Sequence, residues 1–231
     1  MKSRNCGLFL ACQVGIGLAL LWWVPRAVAQ VDFAVTFENL AGGSNPTTTD
    51  LADALRRHAI SGARSWIRWL AVDGPRRIDI VISISKTSTG RGDGRSETSS
   101  FVRKEGALNV YEQGVAAELR IGVDPNGTAP DVRFEIAPNY LRDQLWFDPD
   151  PDMRTAPVPD NRIDAFSFFA HEFGHALVFN GWHETATGRL PGDYESTYDR
   201  LSRYDGLNWW FTGPTAKALY GGEVPIDLTI T

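Results

Sequence analysis

Two histidines and a glutamate in the second half of the chain have the types and the spacing of a metal-dependent hydrolytic site. His171, Glu172 and His175 belong to the run His-Glu-Phe-Gly-His. On a helix the two histidines are one turn apart and point the same way, so their imidazoles can hold one zinc ion. Glu172 lies beside them, placed to take a proton from a water molecule that the metal activates. The pattern predicts metal-assisted hydrolysis if the segment is helical and another ligand completes the site.

Three residues after the motif qualify as the third metal ligand. His183 is preferred because imidazole suits zinc and because it lies close to the motif. Glu195, 20 residues after His175, is the second choice, and Asp199 is the third. A tyrosine after the motif would stabilise a developing oxyanion, and residue type alone offers Tyr194, Tyr198 and Tyr204.

A second metal is suggested by three aspartates that alternate with prolines. Asp148, Asp150 and Asp152 offer the oxygen ligands that calcium prefers. The segment lacks the spacing of an EF-hand, and Pro-spaced acidic stretches also occur as solvated loops. Calcium here is therefore an alternative to a plain surface loop.

The motif lies in a run with helical periodicity. A stripe of apolar residues recurs at the spacing of one helix face: Phe166, Phe169, Phe173 and Leu177. Asn161 as N-cap, with Asp164 three residues later, predicts the start, and Asn180-Gly181 predicts the end. The predicted helix is about five turns long, with the motif in its second half.

Strands and one long helix are predicted upstream of the motif. Alternating or β-branched runs predict strands at 31–37, 77–85 and 132–136, a weak strand near 107–110 and another at 117–123. The turn at 124–127 predicts that the strands at 117–123 and 132–136 form a hairpin. Asp50 is the predicted N-cap of an amphipathic helix over 51–70, and the polar segment 87–100 is predicted to be a loop.

Residues 171–177, His-Glu-Phe-Gly-His-Ala-Leu, resemble the active helix of zincin metallopeptidases and are closest to the metzincin clan. The order of predicted elements is similar to the N-terminal half of that clan, so the resemblance covers 31–183, although only the helix motif is specific. It implies an α+β fold in which a twisted mixed sheet packs on two long helices, with a small irregular C-terminal lobe. It also implies a cleft lined by one edge strand, for which 132–136 is the candidate. A peptide would add to that edge as an extra strand.

The sequence departs from the metzincin pattern after the motif. Val178 stands where the clan has a glycine, and Gly181 stands where it has the third histidine. No methionine follows the motif to form the clan's Met-turn. These departures leave two alternatives to a metzincin-like endopeptidase, namely a gluzincin-type peptidase with Glu195 as ligand and a secreted protein that binds zinc without catalysis. A third is a non-catalytic module that uses the aromatic run 209–211.

The first 29 residues have the pattern of a secretory signal peptide. Lys2 and Arg4 precede an apolar run over 8–24, and a small-x-small cleavage site occupies 27–29. An uncleaved membrane anchor is the alternative. The two cysteines, Cys6 and Cys12, both lie in this segment, so the predicted mature protein has neither a disulfide nor a thiolate ligand. We expect export to the bacterial periplasm or the extracellular space.

Composition and charge fit one globular domain over 30–231, with an N-terminal lobe at 30–181 and a C-terminal lobe at 182–231. The chain of 231 residues is 43% hydrophobic, which is enough for a core. Signal cleavage would leave 20 basic against 28 acidic residues, a formal net charge of −8 instead of −5. An acidic surface argues against nucleic acid and anionic membranes as partners. The expected partner is a protein or peptide substrate, and the sequence leaves the oligomeric state open.

Overall fold

The computed structural model describes residues 30–40, 46–85, 87 and 89–227, with the backbone alone for 46–49. The predicted signal peptide lies outside the described residues. The described chain is a mixed α+β structure with several sheets and five α-helices, as predicted at that level. Within this part, no helix is both long and apolar enough to cross a membrane.

The elements follow in chain order. They are β1 (Val31–Glu38), α1 (Pro46–Ile67), β2 (Arg76–Ile84), β3 (Gly92–Ser96), β4 (Ser99–Glu105), β5 (Leu108–Gln113), α2 (Gly114–Ile121), β6 (Val132–Ile136), α3 (Pro138–Asp143), β7 (Leu145–Trp146), β8 (Ile163–Asp164), α4 (Ala165–Leu177), β9 (Tyr194–Ser196), a 3-10 helix (Asp199–Leu201), β10 (Ser202–Tyr204), β11 (Trp209–Phe211), α5 (Pro214–Tyr220) and β12 (Val224–Ile226).

The main sheet has the strand order β1-β2-β6-β3. The first three of these strands are parallel, and β3 pairs antiparallel with β6 at the sheet edge. Strand β2 lies between two parallel neighbours, and its residues Ile78, Ile80 and Ile82 are buried, as its β-branched run predicts. The strand predictions for β1, β2 and β6 are therefore confirmed.

The hairpin prediction is wrong. Residues predicted as a strand at 117–123 belong to helix α2, which ends at Gly122 in the left-handed conformation with φ 73°. Val115 and Leu119, one helical turn apart, are both buried. The apolar residues of this segment therefore follow the four-residue spacing of a helix, and the short alternation that suggested a strand is misleading. The turn at 124–127 is present, but it connects a helix to a strand.

The predicted loop at 87–100 contains strand β3, so the candidate edge strand at 132–136 is wrong as well. Strand β6 lies inside the sheet, between β2 and β3. The glycines at alternate positions of β3 predict a loop, because glycine is normally unfavourable within strands. Here Gly92 and Gly94 face α4, which leaves no space for side chains on that face of the strand.

Helices α1 and α4 pack closely against each other. A Cβ atom on Gly62 would lie 2.9 Å from the backbone nitrogen of Ala170, so a larger residue would push the helices apart. Trp66 Nε1 donates a hydrogen bond to the Ala170 carbonyl at 2.7 Å. Helix α1 extends over Pro46–Ile67, so its predicted start at Asp50 and its predicted end near residue 70 are both shifted.

Three smaller sheets complete the structure. Strands β4, β5 and β9 form one, β7 and β8 another, and β10, β11 and β12 a third in the C-terminal region. The weak strand predicted near 107–110 is β5, paired with β4, which was not predicted. The aromatic run 209–211 is strand β11. Trp209 is buried, so this run is partly core rather than a free surface patch.

Candidate active site

Helix α4 carries the motif and begins at a strong N-cap. The Asp164 carboxylate accepts hydrogen bonds from the backbone amides of Phe166 and Ser167, each at 3.2 Å. The predicted N-cap, Asn161, is wrong because Ile163 and Asp164 pair with β7 before the helix starts. The helix is thus 13 residues long and shorter than predicted.

The two motif histidines lie together on one side of α4. His171 Nε2 and His175 Nε2 are 3.1 Å apart. Two imidazole nitrogens bound to one tetrahedral zinc are about 3.3 Å apart, given usual zinc–nitrogen distances. Burial, followed by the nearby charge of His175, lowers the pKa of His171. The structure therefore brings together two of the three predicted metal ligands.

His175 is held by the end of its own helix. Its Nδ1 lies 2.5 Å from the Phe179 carbonyl oxygen, and when Nδ1 carries the proton it donates to this oxygen and leaves Nε2 with a free lone pair. Helix α4 ends at Leu177 with Val178 as C-cap, so the predicted extension to Gly181 is wrong. The chain turns at Val178 without the glycine of the metzincin pattern, which makes the Phe179 carbonyl available to His175.

Glu172 lies on the buried side of α4, between the histidines and strand β3. It is 8% exposed, and the backbone amide of Gly94 donates to its carboxylate. Burial raises the pKa of Glu172 to about 7, the Gly94 hydrogen bond opposes this shift, and the charge of Asp93 adds to it. A Cβ atom on Gly94 would lie 2.5 Å from Glu172 Cβ, so only glycine permits this approach.

No third ligand completes the histidine pair in this structure. Within the described residues, no other His, Cys, Asp or Glu ligand atom lies within 4.8 Å of both nitrogens. His183 is close to the pair in sequence but is held elsewhere. Its Nδ1 lies 2.8 Å from Asp199 Oδ1, and its ring packs 5.3 Å from that of Trp209.

Asp199, the third choice for a ligand, instead organises the segment that carries His183. Its buried carboxylate accepts hydrogen bonds from the backbone amides of Trp182 at 2.9 Å and Ser196 at 2.8 Å. A Cβ atom on Gly181 would lie 2.9 Å from Asp199 Oδ1. Asp199 thus fills the space beside the position where metzincins have their third histidine, and it fixes the Nδ1 side of His183.

Glu195 is engaged in a different contact. It is buried on β9, and its carboxylate accepts a hydrogen bond from Arg200 Nη1 at 2.7 Å. The candidate oxyanion tyrosines are also spread out: Tyr194 packs on Trp182, Tyr204 on Trp209, and Tyr198 on Phe179. Tyr198 is therefore the one linked to the residue that holds His175.

The aspartates predicted as an alternative calcium site form turns. Asp148 accepts a hydrogen bond from the Asp150 amide, and Asp150 accepts from the amides of Asp152 and Met153. Among the described residues these carboxylates do not converge as a group of three potential ligand atoms within 4.8 Å of one another. Asp148 is buried, so the segment is not simply a solvated loop.

The histidine pair fits zinc in donor type and spacing, with one ligand still to be supplied. Comparisons with protein-family models, with curated proteins and with solved structures find no match for this chain. Its chemistry must therefore be argued from its own residues. Two site residues escaped the sequence prediction as positioning groups, Gly94 and Asp199. Only the Gly-x-Gly alternation at 92–94 could have signalled the first.

Proposed function

We propose that this protein is a zinc-dependent endopeptidase in which His171 and His175 bind the metal and Glu172 is the general base. The observation that carries the proposal is the combination of two imidazole nitrogens 3.1 Å apart and a buried carboxylate at the adjacent position. The α+β fold, with the motif helix packed directly behind an antiparallel edge strand, further supports a zincin-like assignment, closest to metzincins.

The protein residues divide the chemistry between them. A zinc ion held by the histidines would supply the Lewis acidity that makes water a nucleophile near neutral pH. Glu172 takes the proton from the attacking water and delivers it to the leaving amine. The Gly94 amide holds the Glu172 carboxylate in one orientation. The Phe179 carbonyl does the same for His175.

His183 is the third ligand in this proposal. Asp199 occupies its Nδ1, so its Nε2 remains for a metal, which is the arrangement that carboxylate–histidine–metal sites use. The proposal requires the segment around His183 to approach the pair when zinc binds. Glu195, the ligand of the gluzincin alternative, would first have to leave Arg200.

Strand β3 is the proposed binding edge for a peptide substrate. Its pairing partner β6 occupies one side only, and Gly94 within it contacts Glu172. A peptide that extends the sheet along the other side of β3 would place its backbone close to the general base. This replaces the edge expected at 132–136.

Zinc content and peptide cleavage, measured together, test the proposal. Wild type is expected to bind one zinc and cleave casein or a mixed peptide library. Glu172→Gln is expected to keep the zinc and lose cleavage by more than about a hundredfold, as expected for removal of a general base. A paired His171→Ala/His175→Ala variant should lose both. Normal turnover by Glu172→Gln would overturn the mechanism.

A second candidate function is zinc binding without catalysis. It is favoured by the separation of His183 from the histidine pair, which leaves the pair without a third ligand. Stoichiometric zinc in wild type without any cleavage would favour this candidate. Absence of zinc in wild type would overturn both.

A further inference from the structure

A second cluster of potential metal ligands lies away from the histidines, at the end of helix α2. Ligand oxygens of Glu118, Asp124 and Asp131 lie within 4.8 Å of one another. They come from α2, from the turn that follows it and from the residue before β6. Three parts of the chain thus bring carboxylates to one point.

Two of these carboxylates have buried oxygens without a hydrogen-bond partner. Glu118 is 7% exposed and Asp131 is 3% exposed, and neither Glu118 Oε2 nor Asp131 Oδ1 has a donor. Buried polar atoms are normally paired, because an unpaired one loses its hydration without compensation. These orphaned oxygens are therefore an observation that points to a missing ligand, independent of the clustering itself.

Backbone amides hold two of the three carboxylates in place. Asp131 Oδ2 accepts from the Asp79 amide at 2.7 Å, and Asp124 Oδ1 accepts from the amides of Asn126 and Gly127 at 2.8 Å. None of the ion pairs found among the described residues involves Glu118, Asp124 or Asp131. Burial, followed by the charge of Asp131, raises the pKa of Glu118 to about 8, so without a cation the cluster is relieved by a proton and not by a basic side chain.

The turn that carries Asp124 also holds an amide oxygen without a partner. Asn126 donates through its side-chain amide to the carbonyls of Ala129 and Pro130, and its Oδ1 is buried without a partner. Carboxylate and amide oxygens on an irregular turn suit Ca²⁺, whose coordination is flexible. Mg²⁺ demands near-octahedral geometry and retains water. The absence of nitrogen and sulfur donors disfavours zinc.

We propose that Glu118, Asp124 and Asp131 bind one Ca²⁺ ion, with Asn126 Oδ1 as an additional ligand. The ion would fasten the end of α2 to the turn before β6 and, through the Asp79 amide, to strand β2. This site is independent of the proposed zinc site, because it shares no residue with it.

The test is calcium binding to the full chain after chelator treatment, measured by titration calorimetry and by the thermal unfolding midpoint. Wild type is expected to bind one Ca²⁺ with a higher midpoint, and Mg²⁺ at least about tenfold more weakly. Glu118→Gln is expected to lose the calcium shift while unfolding at a higher temperature than wild type in the absence of calcium. That second readout distinguishes a lost ligand from a misfolded variant.

Asp124→Asn and Asp150→Asn form a matched pair, because each aspartate accepts two backbone amides in a turn. Asp124→Asn is expected to weaken calcium binding by about tenfold or more, and Asp150→Asn to leave it unchanged. The reverse result would place calcium in the loop 148–152 and overturn the proposal. So would absence of binding to wild type, or tighter Mg²⁺ than Ca²⁺ binding. The His171→Ala/His175→Ala variant should bind calcium normally, whatever happens to zinc.

Discussion

At the scale of single residues, the candidate site depends on the hydrogen bonds that orient its side chains. Two of the three motif side chains have a backbone partner that fixes them, namely the Phe179 carbonyl for His175 and the Gly94 amide for Glu172. The sequence predicted His171, Glu172 and His175 because their spacing is local to one helix. It could not predict their partners, which come from the helix end and from a distant strand.

The third ligand gives the first prediction at this scale. Asp199→Asn is expected to weaken zinc binding by about 10- to 100-fold, the usual effect of losing a carboxylate that orients a ligating histidine. The reason is that an amide cannot accept from all the N–H groups that Asp199 serves, so the Trp182–His183 segment loses its anchor. Competition with a chromophoric chelator measures the affinity.

Glu195→Gln is the matched control for Asp199→Asn, since Glu195 is also a buried carboxylate in the same region and contacts Arg200 instead of His183. It is expected to change zinc affinity by less than about threefold, because Glu195 does not contact any of the proposed zinc ligands. If Glu195→Gln weakened zinc binding more than Asp199→Asn, the result would favour Glu195 over His183 as the third ligand, as in the gluzincin alternative.

At the scale of elements, the site depends on how closely strand β3 approaches helix α4. Glycines at 92 and 94 replace the side chains that would separate them, with Phe168 against the first and Glu172 against the second. Glycine is rare within strands, so the glycines of β3 predict a loop from sequence. Close approach of two backbones is a tertiary requirement, which local sequence patterns do not encode.

Gly94→Ala tests this approach. Its Cβ would lie 2.5 Å from Glu172 Cβ and 2.7 Å from the Glu172 carbonyl oxygen, so β3 must move away from α4. We expect a loss of about 1–3 kcal/mol in the free energy of unfolding, typical of overpacking. We also expect reduced peptide cleavage, because the Gly94 amide no longer meets the Glu172 carboxylate. Urea denaturation and the cleavage assay measure the two effects.

Gly222→Ala is the control for Gly94→Ala, because a Cβ atom there meets nothing within 4 Å and its φ is not in the left-handed region. It is expected to unfold and cleave like wild type. Unchanged stability of Gly94→Ala would mean that β3 and α4 are not packed as described.

At the scale of the whole molecule, helix α1 holds the segment that precedes α4. Arg57 Nη1 donates to the Pro149 carbonyl at 2.9 Å, and Ser61 donates to the Pro151 carbonyl at 3.1 Å. These contacts explain why the proline-rich acidic stretch is held in place. Its fixed position could not be predicted from sequence, because the donors lie about 90 residues away.

His58 lies on the same stretch of α1, with its ring edge-on to Phe147, and it gives a prediction about pH. It is fully buried, its Nδ1 lies 2.7 Å from the Ala54 carbonyl, and its Nε2 has no partner. Burial is the main cause that lowers its pKa below the usual 6.5, with Arg57 adding to the effect. The Ala54 carbonyl and the charges of Asp164 and Asp148 oppose it. His58 therefore binds a proton less readily in the folded chain than in the unfolded chain.

The sign of the effect follows from proton binding. Below pH 6.5 the unfolded chain takes up a proton at His58 that the folded chain does not, so stability falls as pH decreases from 6.5 towards the lowered pKa. The slope from this one group is at most about 1.4 kcal/mol per pH unit.

Denaturation of wild type and His58→Gln from pH 8 to 5 measures this slope. All other titrating groups are shared, so their contributions cancel in the difference between the two proteins. We expect wild type to lose more stability than His58→Gln below pH 6.5, and equal pH dependence in both would mean that His58 titrates normally and that the α1 contact is open to water.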